Sequence, residues 1–351
     1  MTAKNILMIA IGESHRASSR FRVWQMAPML QGEGHNTKIV TYIKNIGSGG
    51  MLDVVRRKLY SLRIAEAEIE SNIEWANVIF IQEALLSFRL LDKIEKSGKK
   101  VIFDFSDPIN LCGEQPGLSL FRKLVFKYIE RPKFDKILKI ATHAVVENES
   151  LQDVCKQFGC ITHVVRGPID CNHFKPVDKR GCEEFVIGWT GSPATFGFLE
   201  PLLPVIDQLG EKNSLRLLLI GCGDRKLELK NVPVSIVPWS LELEKKLVPT
   251  FDVGLFNLKD TLWDCARGGG KLFVYMACGV PFIGPNLGVA SQVFDESKAG
   301  VLVEGVDQWA IEFDSLINDP ERRELLSHRA REFAQKNYSQ EACIEVWHKF
   351  L

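Results

Sequence analysis

The stretch Lys271-Leu-Phe-Val-Tyr-Met-Ala-Cys-Gly-Val-Pro-Phe-Ile-Gly284 decides the fold. It reads as a one- to two-turn helix that Gly279 stops, followed by a buried strand that Pro281 opens. Just upstream, Asp252-Val-Gly-Leu-Phe256 is an apolar run of strand length, and three consecutive glycines, Gly268, Gly269 and Gly270, join the two. Strand, glycine loop, helix and strand together make a β-α-β unit. Glycines ahead of a helix let backbone N–H groups approach an anion, and the positive helix end beside Lys271 favours phosphate. The same pattern also serves as a plain tight connection.

Outward from this unit, apolar runs of strand length alternate with helical patterns along the whole chain. Candidate strands are 5–11, 37–42, 78–81, 100–105, 143–146 and 162–165, then 185–189, 215–220, 234–237, 252–256, 281–283 and 301–303. Helical periodicity marks 21–31, 85–95, 121–139, 199–208, 307–317 and 320–336, and a last amphipathic segment covers 338–351. Continuous apolar strands separated by helices predict parallel sheets covered on both faces. Two series in tandem predict an α/β protein of two Rossmann-like, doubly wound domains. The turn-rich, then polar stretch after Arg166 places the join: residues 1–170 form one domain, 171–184 the linker, 185–336 the second domain, and 337–351 a terminal helix. At 351 residues the chain exceeds one comfortable core, which agrees.

With 46% apolar and 25% charged residues the composition is that of a globular protein, and no apolar run reaches membrane-spanning length. The apolar run 5–11 reads as a first strand and its loop, not a signal peptide. Nine cysteines without metal spacing predict reduced thiols and a cytoplasmic protein. Net charge is zero, yet residues 1–175 carry 25 Lys and Arg against 19 Asp and Glu. The first half is therefore the part suited to an anionic partner or membrane surface.

Ligands of open parallel sheets sit at the carboxyl ends of strands, so the loops that follow strands are the candidates for chemistry. After the first strand comes Gly12-Glu-Ser-His-Arg-Ala-Ser-Ser-Arg-Phe-Arg22, in which Ser18 or Ser19 can cap a helix. Arg20 and Arg22 in its first turn oppose the helix dipole and ask for an anion, either a phosphate or a salt-bridge partner. Gln82-Glu83 and Asp104-Phe-Ser-Asp107 end two further strands. The aspartates suit hydrogen bonding to an acceptor better than a metal, since nothing supplies further ligands.

In the second half, Gly188-Trp-Thr-Gly-Ser-Pro-Ala-Thr195 brings Gly191 and Ser192 near a diphosphate. It lacks the dinucleotide fingerprint, as does Gly221-Cys-Gly223, which disfavours a nicotinamide enzyme. Trp239 can pack on a nucleobase or belong to the rim of the core. Asp260, Trp263 and Asp264 precede the glycines, where a sugar can be gripped. One more pattern stands apart: Phe121, Leu124, Val125, Tyr128 and Ile129 form an apolar stripe flanked by Arg122, Lys123, Lys127 and Arg131, and Arg56-Arg57-Lys58 adds a second basic patch. A helix packed on its own sheet is the ordinary reading of such a stripe, and a membrane-surface face is the other.

Taken in this order, these loops resemble the GT-B glycosyltransferases, specifically the large family four of retaining enzymes. The resemblance rests on Ser18–Arg22, Asp104–Asp107, Gly167–Pro176, Ile187–Pro193, Asp252–Phe256 and above all Lys271–Pro281, and it spans nearly the whole chain. It implies two Rossmann-like domains facing across a cleft, with the last helix crossing back onto the first. It implies a nucleotide-sugar donor seated on Gly191, Ser192, Gly269, Gly270 and Lys271; the loops themselves add Trp239 for the base and, with Lys271, Arg20 and Asp264 as candidates for catalysis. The acceptor, a polysaccharide, lipid-linked or small molecule, would meet Gly12, Ser19, Arg22, Glu83, Asp104 and Asp107. Neither a metal nor another cofactor is implied, and nucleic acid is not an expected partner; peripheral membrane contact through the basic first domain is. The chain departs from the family where two glutamates are common, at Ala266 and Val274. That departure admits a catalytically impaired partner protein as the alternative, and a nucleotide-sugar epimerase of the same fold is a further one.

Overall fold

The computed structural model describes residues 2–44, 51–115, 117–179 and 184–351. The chain divides into two compact units. The first holds Met1–Pro168, Ala266–Gly268 and Cys343–Leu351; the second holds Ile169–Cys265 and Gly269–Ala342. Two short pieces therefore leave the sequential order: Ala266–Gly268, which strand periodicity assigns to the second domain, and the last nine residues.

The first unit is built on a six-stranded sheet of β1 (Asn5–Ala10), β2 (Asn36–Thr41), β3 (Val78–Gln82), β4 (Lys100–Phe105), β5 (His143–Val146) and β6 (Ile161–Val164), in the order β2-β1-β3-β4-β5-β6. All its pairings are parallel. Alternation along β1 shows why both faces must be covered. Leu7, Ile9 and Ile11 enter one core with Ala65, Ile69, Leu90, Phe134 and Ile137, whereas Ile6, Met8 and Ala10 enter another with Met26, Leu30, Trp347 and Phe350. Right-handed crossovers explain the sorting. The β1-to-β2 connection runs one way along the sheet, and those after β2, β3 and β4 run the other. The helices Met51–Asn72, Phe88–Lys96 and Arg131–Ile140 thus share a face.

The second unit has β7 (Phe185–Thr190), β8 (Leu215–Ile220), β9 (Val234–Val237), β10 (Val253–Leu255), β11 (Phe282–Pro285) and β12 (Gly300–Val303), ordered β12-β11-β10-β7-β8-β9 and again parallel throughout. The deciding stretch forms the helix Gly270–Ala277, with Leu272 through Ala277 all buried. Gly279, at φ +64°, ends it. A Cβ on Gly254 of β10 would lie 2.5 Å from the Tyr275 ring, so strand and helix meet there at backbone distance. The Tyr275 hydroxyl then donates to the Leu255 carbonyl at 3.2 Å and accepts from the Thr190 N–H at 3.1 Å. Arg331 donates to the carbonyls of Cys171, Phe174 and Ala277, which fastens the segment after Ile169 to the end of that helix.

Helix starts follow capping chemistry. Ser87, Ser119, Asn148, Ser240 and Asp319 each accept a backbone N–H three residues on. The helical pattern predicted over 21–31 is in fact a π-helical stretch Arg20–Trp24 followed by the helix Met26–Gly32, and a second π-helical stretch, Phe126–Glu130, interrupts the one predicted over 121–139. None of the cysteines among the described residues is in a disulfide. No described helix is long and apolar enough to cross a membrane.

Candidate functional site

Each unit collects candidate residues at the carboxyl edge of its own sheet. In the first, the loop after β1 is pinned by side chains from β3. The Gly12 N–H donates to Ser19 Oγ at 3.0 Å, Ser19 Oγ–H donates to Gln82 Oε1 at 2.9 Å, and the Ile11 N–H donates to the same oxygen at 3.2 Å. Ser19 is therefore not a helix cap. It sits fully buried inside the helical segment as a bridge between two strand ends, and no side chain caps that segment's first turn.

Arg22 takes the salt-bridge alternative, inside the fold and not at its surface. Its guanidinium is buried and donates to Asp104 through Nε at 3.2 and 2.9 Å and through the second terminal nitrogen at 2.6 Å. Its remaining nitrogen donates to the Val165 and Gly167 carbonyls at 2.5 and 3.0 Å. The anion that Arg22 asked for is thus Asp104 within the fold. Burial pushes the Asp104 carboxyl up to about 6, and the attraction of Arg22 holds it back from rising further. A carboxylate engaged on both oxygens has little left to orient a substrate hydroxyl. Arg20 is also buried, with its guanidinium 4.7 Å from the centre of the Phe21 ring.

Glu83 is different in kind. It is a non-glycine residue at φ +54°, a strained backbone held at the end of β3. Its Oε1 accepts from Ser106 N–H at 3.2 Å and Ser106 Oγ–H at 2.7 Å, its Oε2 accepts from Ser18 Oγ–H at 3.1 Å, and Arg16 lies 3.6 Å from Oε2. Asp107, half-buried, lies 3.7 Å from the Arg267 guanidinium. Burial and then Glu83 raise its affinity for a proton, while Arg267 opposes them. Asn148 holds the loop of Arg267 by donating to the Ala266 and Arg267 carbonyls at 2.9 and 3.3 Å. A Cβ on Gly268 would fall 2.6 Å from Glu147 Oε1. No local pattern marks Ala266–Gly268 as belonging with the ends of β4 and β5.

In the second unit, the loops after β7, β8 and β9 converge. A Cβ on Gly221 would come within 2.4 Å of the Gly191 carbonyl oxygen and 2.9 Å of Trp239 Cβ. A Cβ on Gly191 would strike the Trp189 ring at 2.4 Å and Thr195 Oγ1 at 2.9 Å. Lys271 closes the group: its Nζ stands 4.8 Å from the centre of the Trp189 ring and 3.4 Å from Thr195 Oγ1. Gly269 is the N-cap residue of the helix that follows, and as a glycine it has no side chain with which to cap it. The first-turn amides of that helix and the Lys271 ammonium therefore occupy one corner, the electrostatic arrangement that receives an anion.

Two predicted donors are already committed. The Gly191 N–H donates to the Ile220 carbonyl at 3.0 Å, and the Ser192 N–H donates to Thr195 Oγ1 at 3.2 Å. Their contribution is to let the loop pass close, not to supply free amides. Asp264 accepts from Thr261 Oγ–H at 2.8 Å while its own N–H donates back at 3.0 Å, a local turn lock at Leu262–Cys265. Thr195 and Trp189, to which no motif assigns a role, are neighbours of the Lys271 ammonium. The signal in the sequence is Gly191, placed two residues after a strand tryptophan. Among the described residues no three His, Cys, Asp or Glu side chains gather as a metal site. The two positions where the resembling family commonly has glutamates, Ala266 and Val274, are both buried.

Solved structures identify the architecture. Over 99% of its length the chain matches a sucrose-phosphate synthase from Thermosynechococcus elongatus, covering 98% of that chain at a TM-score of 0.72 and 15% identity. Anabaena HepE in complex with UDP-glucose matches over 99% of this chain and 98% of its own, with TM-score 0.69 and 13% identity. A glycosyltransferase from Rickettsia africae ESF-5 matches over 100% and 99%, with TM-score 0.69 and 12% identity. The fold is GT-B. No protein-family model and no curated protein sequence matches the chain. At these identities the likeness of the GT-B neighbours is one of architecture.

Proposed function

We propose that this GT-B chain is a glycosyltransferase that moves a sugar from a nucleotide-sugar to an acceptor hydroxyl. The observation that carries the reading is the corner formed by Lys271, Thr195, Trp189 and the first turn of the helix Gly270–Ala277. In such a transfer the bond from the sugar's anomeric carbon to the diphosphate breaks, and its electron pair leaves with the diphosphate. An oxygen of the acceptor forms the new bond to that carbon and gives up its proton. Charge therefore builds on the departing diphosphate, and a fixed ammonium beside helix amides stabilises the transition state more than the bound donor. That the neighbour HepE was solved with UDP-glucose supports a UDP-sugar as the first donor to try. Trp239, whose Cβ lies beside Gly221, is the residue proposed to meet the base. The chemistry asks for no metal in this reading, since Lys271 and the amides take the role of counter-charge. Retention of anomeric configuration is part of the proposal, as is work in a reducing, cytoplasmic compartment.

The acceptor side belongs to the first unit. Glu83 has a strained backbone there, and with Ser18, Ser106 and Asp107 it forms a polar group suited to sugar hydroxyls. A second reading has its own observation. Val274 is buried in the core, so the carboxylate common in the resembling family is absent and cannot be supplied from that position. A sugar-nucleotide-binding partner protein without turnover is consistent with this.

Incubation with UDP-sugars and an acceptor panel separates the readings. Nucleoside diphosphate released together with a glycosylated product supports the transferase. Tight nucleotide binding without product supports the partner protein, and an isomerised donor would move the reading to an epimerase.

A further inference from the structure

The stripe at 120–131 does not pack on the sheet. Phe121 is 76% exposed and Tyr128 65% exposed, Leu120, Leu124 and Ile129 are exposed beside them, and of the stretch 120–130 Phe126 alone is buried. The helix Met51–Asn72 repeats the arrangement in the same unit. Among its described side chains the buried ones, Ala65 and Ile69, lie in its second half, while Val55, Leu59, Tyr60 and Ile64 are exposed.

Geometry puts both segments on one edge. A helix of 22 residues is about 33 Å long, whereas a six-residue strand spans about 20 Å, so the first turns of Met51–Asn72 overshoot the sheet. They overshoot at the carboxyl edge, because the helix descends from the end of β2 towards the start of β3. Leu120–Val125 and Phe126–Glu130 likewise follow the carboxyl end of β4 before the helix Arg131–Ile140 packs down. Both crossovers are right-handed and run the same way, so the two segments lie on one face as well.

Charge decides the occupant. Lys123, Lys127, Arg56 and Lys58 make no ion pair among the described residues, and Lys127 stands 5.4 Å from the centre of the Tyr128 ring. Exposed aromatics with unpaired cations around them match the interface of an anionic bilayer, where rings enter the headgroup layer and ammonium groups meet lipid phosphates. A second copy of the chain fits poorly, since a two-fold interface would set these cations against themselves.

We propose that the overshooting segments 53–64 and 120–129 dock this unit onto an anionic membrane surface. The docked edge is the one that carries Glu83 and Asp107, so an acceptor held in the bilayer would be presented to it. The docking itself does not rest on the transferase reading, and the test needs no nucleotide. Full-length protein is sedimented with phosphatidylcholine vesicles and with vesicles in which a third of the lipid is phosphatidylglycerol. Binding to the second kind is expected at low salt, weakening as salt screens the charges. Lys123→Glu with Lys127→Glu should lower partitioning by about fivefold or more per lysine. Phe121→Ser with Tyr128→Ser should lower it on the order of tenfold and should also remove the salt-resistant part. Because these side chains are exposed, circular dichroism and the melting midpoint should match wild type, and a variant that fails this check is replaced by Leu59→Ser with Tyr60→Ser. Wild-type protein that ignores anionic vesicles, or variants that bind as wild type does, would overturn the proposal. A concentration-dependent dimer dissolved by Phe121→Ser with Tyr128→Ser would overturn it in favour of self-association. Vesicle binding by a protein that binds no nucleotide would leave the surface standing and the transferase reading lost.

Discussion

Replacing Arg22 by Met tests the internal electrostatics of the first unit. Its side chain is 2% exposed and that of Asp104 0%, so the substitution leaves a buried carboxylate and the carbonyls of Val165 and Gly167 without their donor. Breaking a buried pair from one side costs about 3–5 kcal/mol, a large share of the roughly 5–15 kcal/mol that holds a domain folded. For a domain of this size each kcal/mol lowers the midpoint by about 2–4 °C, so a fall of about 6–20 °C is expected at pH 7. The pH dependence has a definite sign. Burial already holds Asp104 up at about 6 against the attraction of Arg22, and without the guanidinium its folded pKa rises further above the unfolded value near 4. The folded state then binds the extra proton, and stability falls as pH climbs through that window. The variant should therefore lie closer to wild type at pH 5 than at pH 7. Adding Asp104→Leu removes the stranded charge and should recover more than half of the loss. Urea unfolding followed by circular dichroism reads all three proteins. A single variant that loses less than about 1 kcal/mol at pH 7, or a double variant no better than the single, refutes the reasoning.

Two further outcomes follow from the same unit. Glu83→Ala keeps a left-handed backbone that disfavours a Cβ and deletes the bonds to Ser18 and Ser106, while Glu83→Gly deletes the same bonds but relieves the strain. The Gly variant should be the more stable by about 1 kcal/mol in chemical denaturation, and the opposite order would show that strain is not what the position stores. Burial, with Lys100 and His163 as lesser causes, pushes the His143 imidazole down to about 4, below its ordinary 6.5. The unfolded chain takes up the proton first on acidification, so this stability is present above about 6.5 and lost as pH falls towards 4. The melting midpoint should drop across that window, and His143→Phe should flatten the slope; an unchanged slope would remove His143 from the account.

Much of this architecture was legible because a strand buried on both faces must be apolar at every position. Phe185–Thr190 and Leu215–Ile220 announce themselves in that way, and all twelve predicted runs became strands within a residue or two of their expected ends. The helix Met51–Asn72 was legible only as a basic patch, since its contact with the sheet is confined to small and spaced residues such as Ala65 and Ile69. Site residues divided along similar lines. The position of Lys271 and its glycines at a helix start could be read because such a start has a local signature. The partners of Arg22 and Ser19 could not, because Asp104 and Gln82 lie far along the chain and meet them only through the order β1-β3-β4. The commitment of the Gly191 and Ser192 amides was equally hidden, since it depends on where Ile220 and Thr195 come to rest.

The central claim is that an anion is received at the corner that Lys271 shares with Thr195 and Trp189. Calorimetric titration of UDP into wild type and into Lys271→Ala tests it most directly. A charge-assisted contact of this kind is worth about 1.5–3 kcal/mol, so affinity should fall on the order of tenfold to a hundredfold while the fold is unchanged. Equal affinity in the two proteins would contradict the claim.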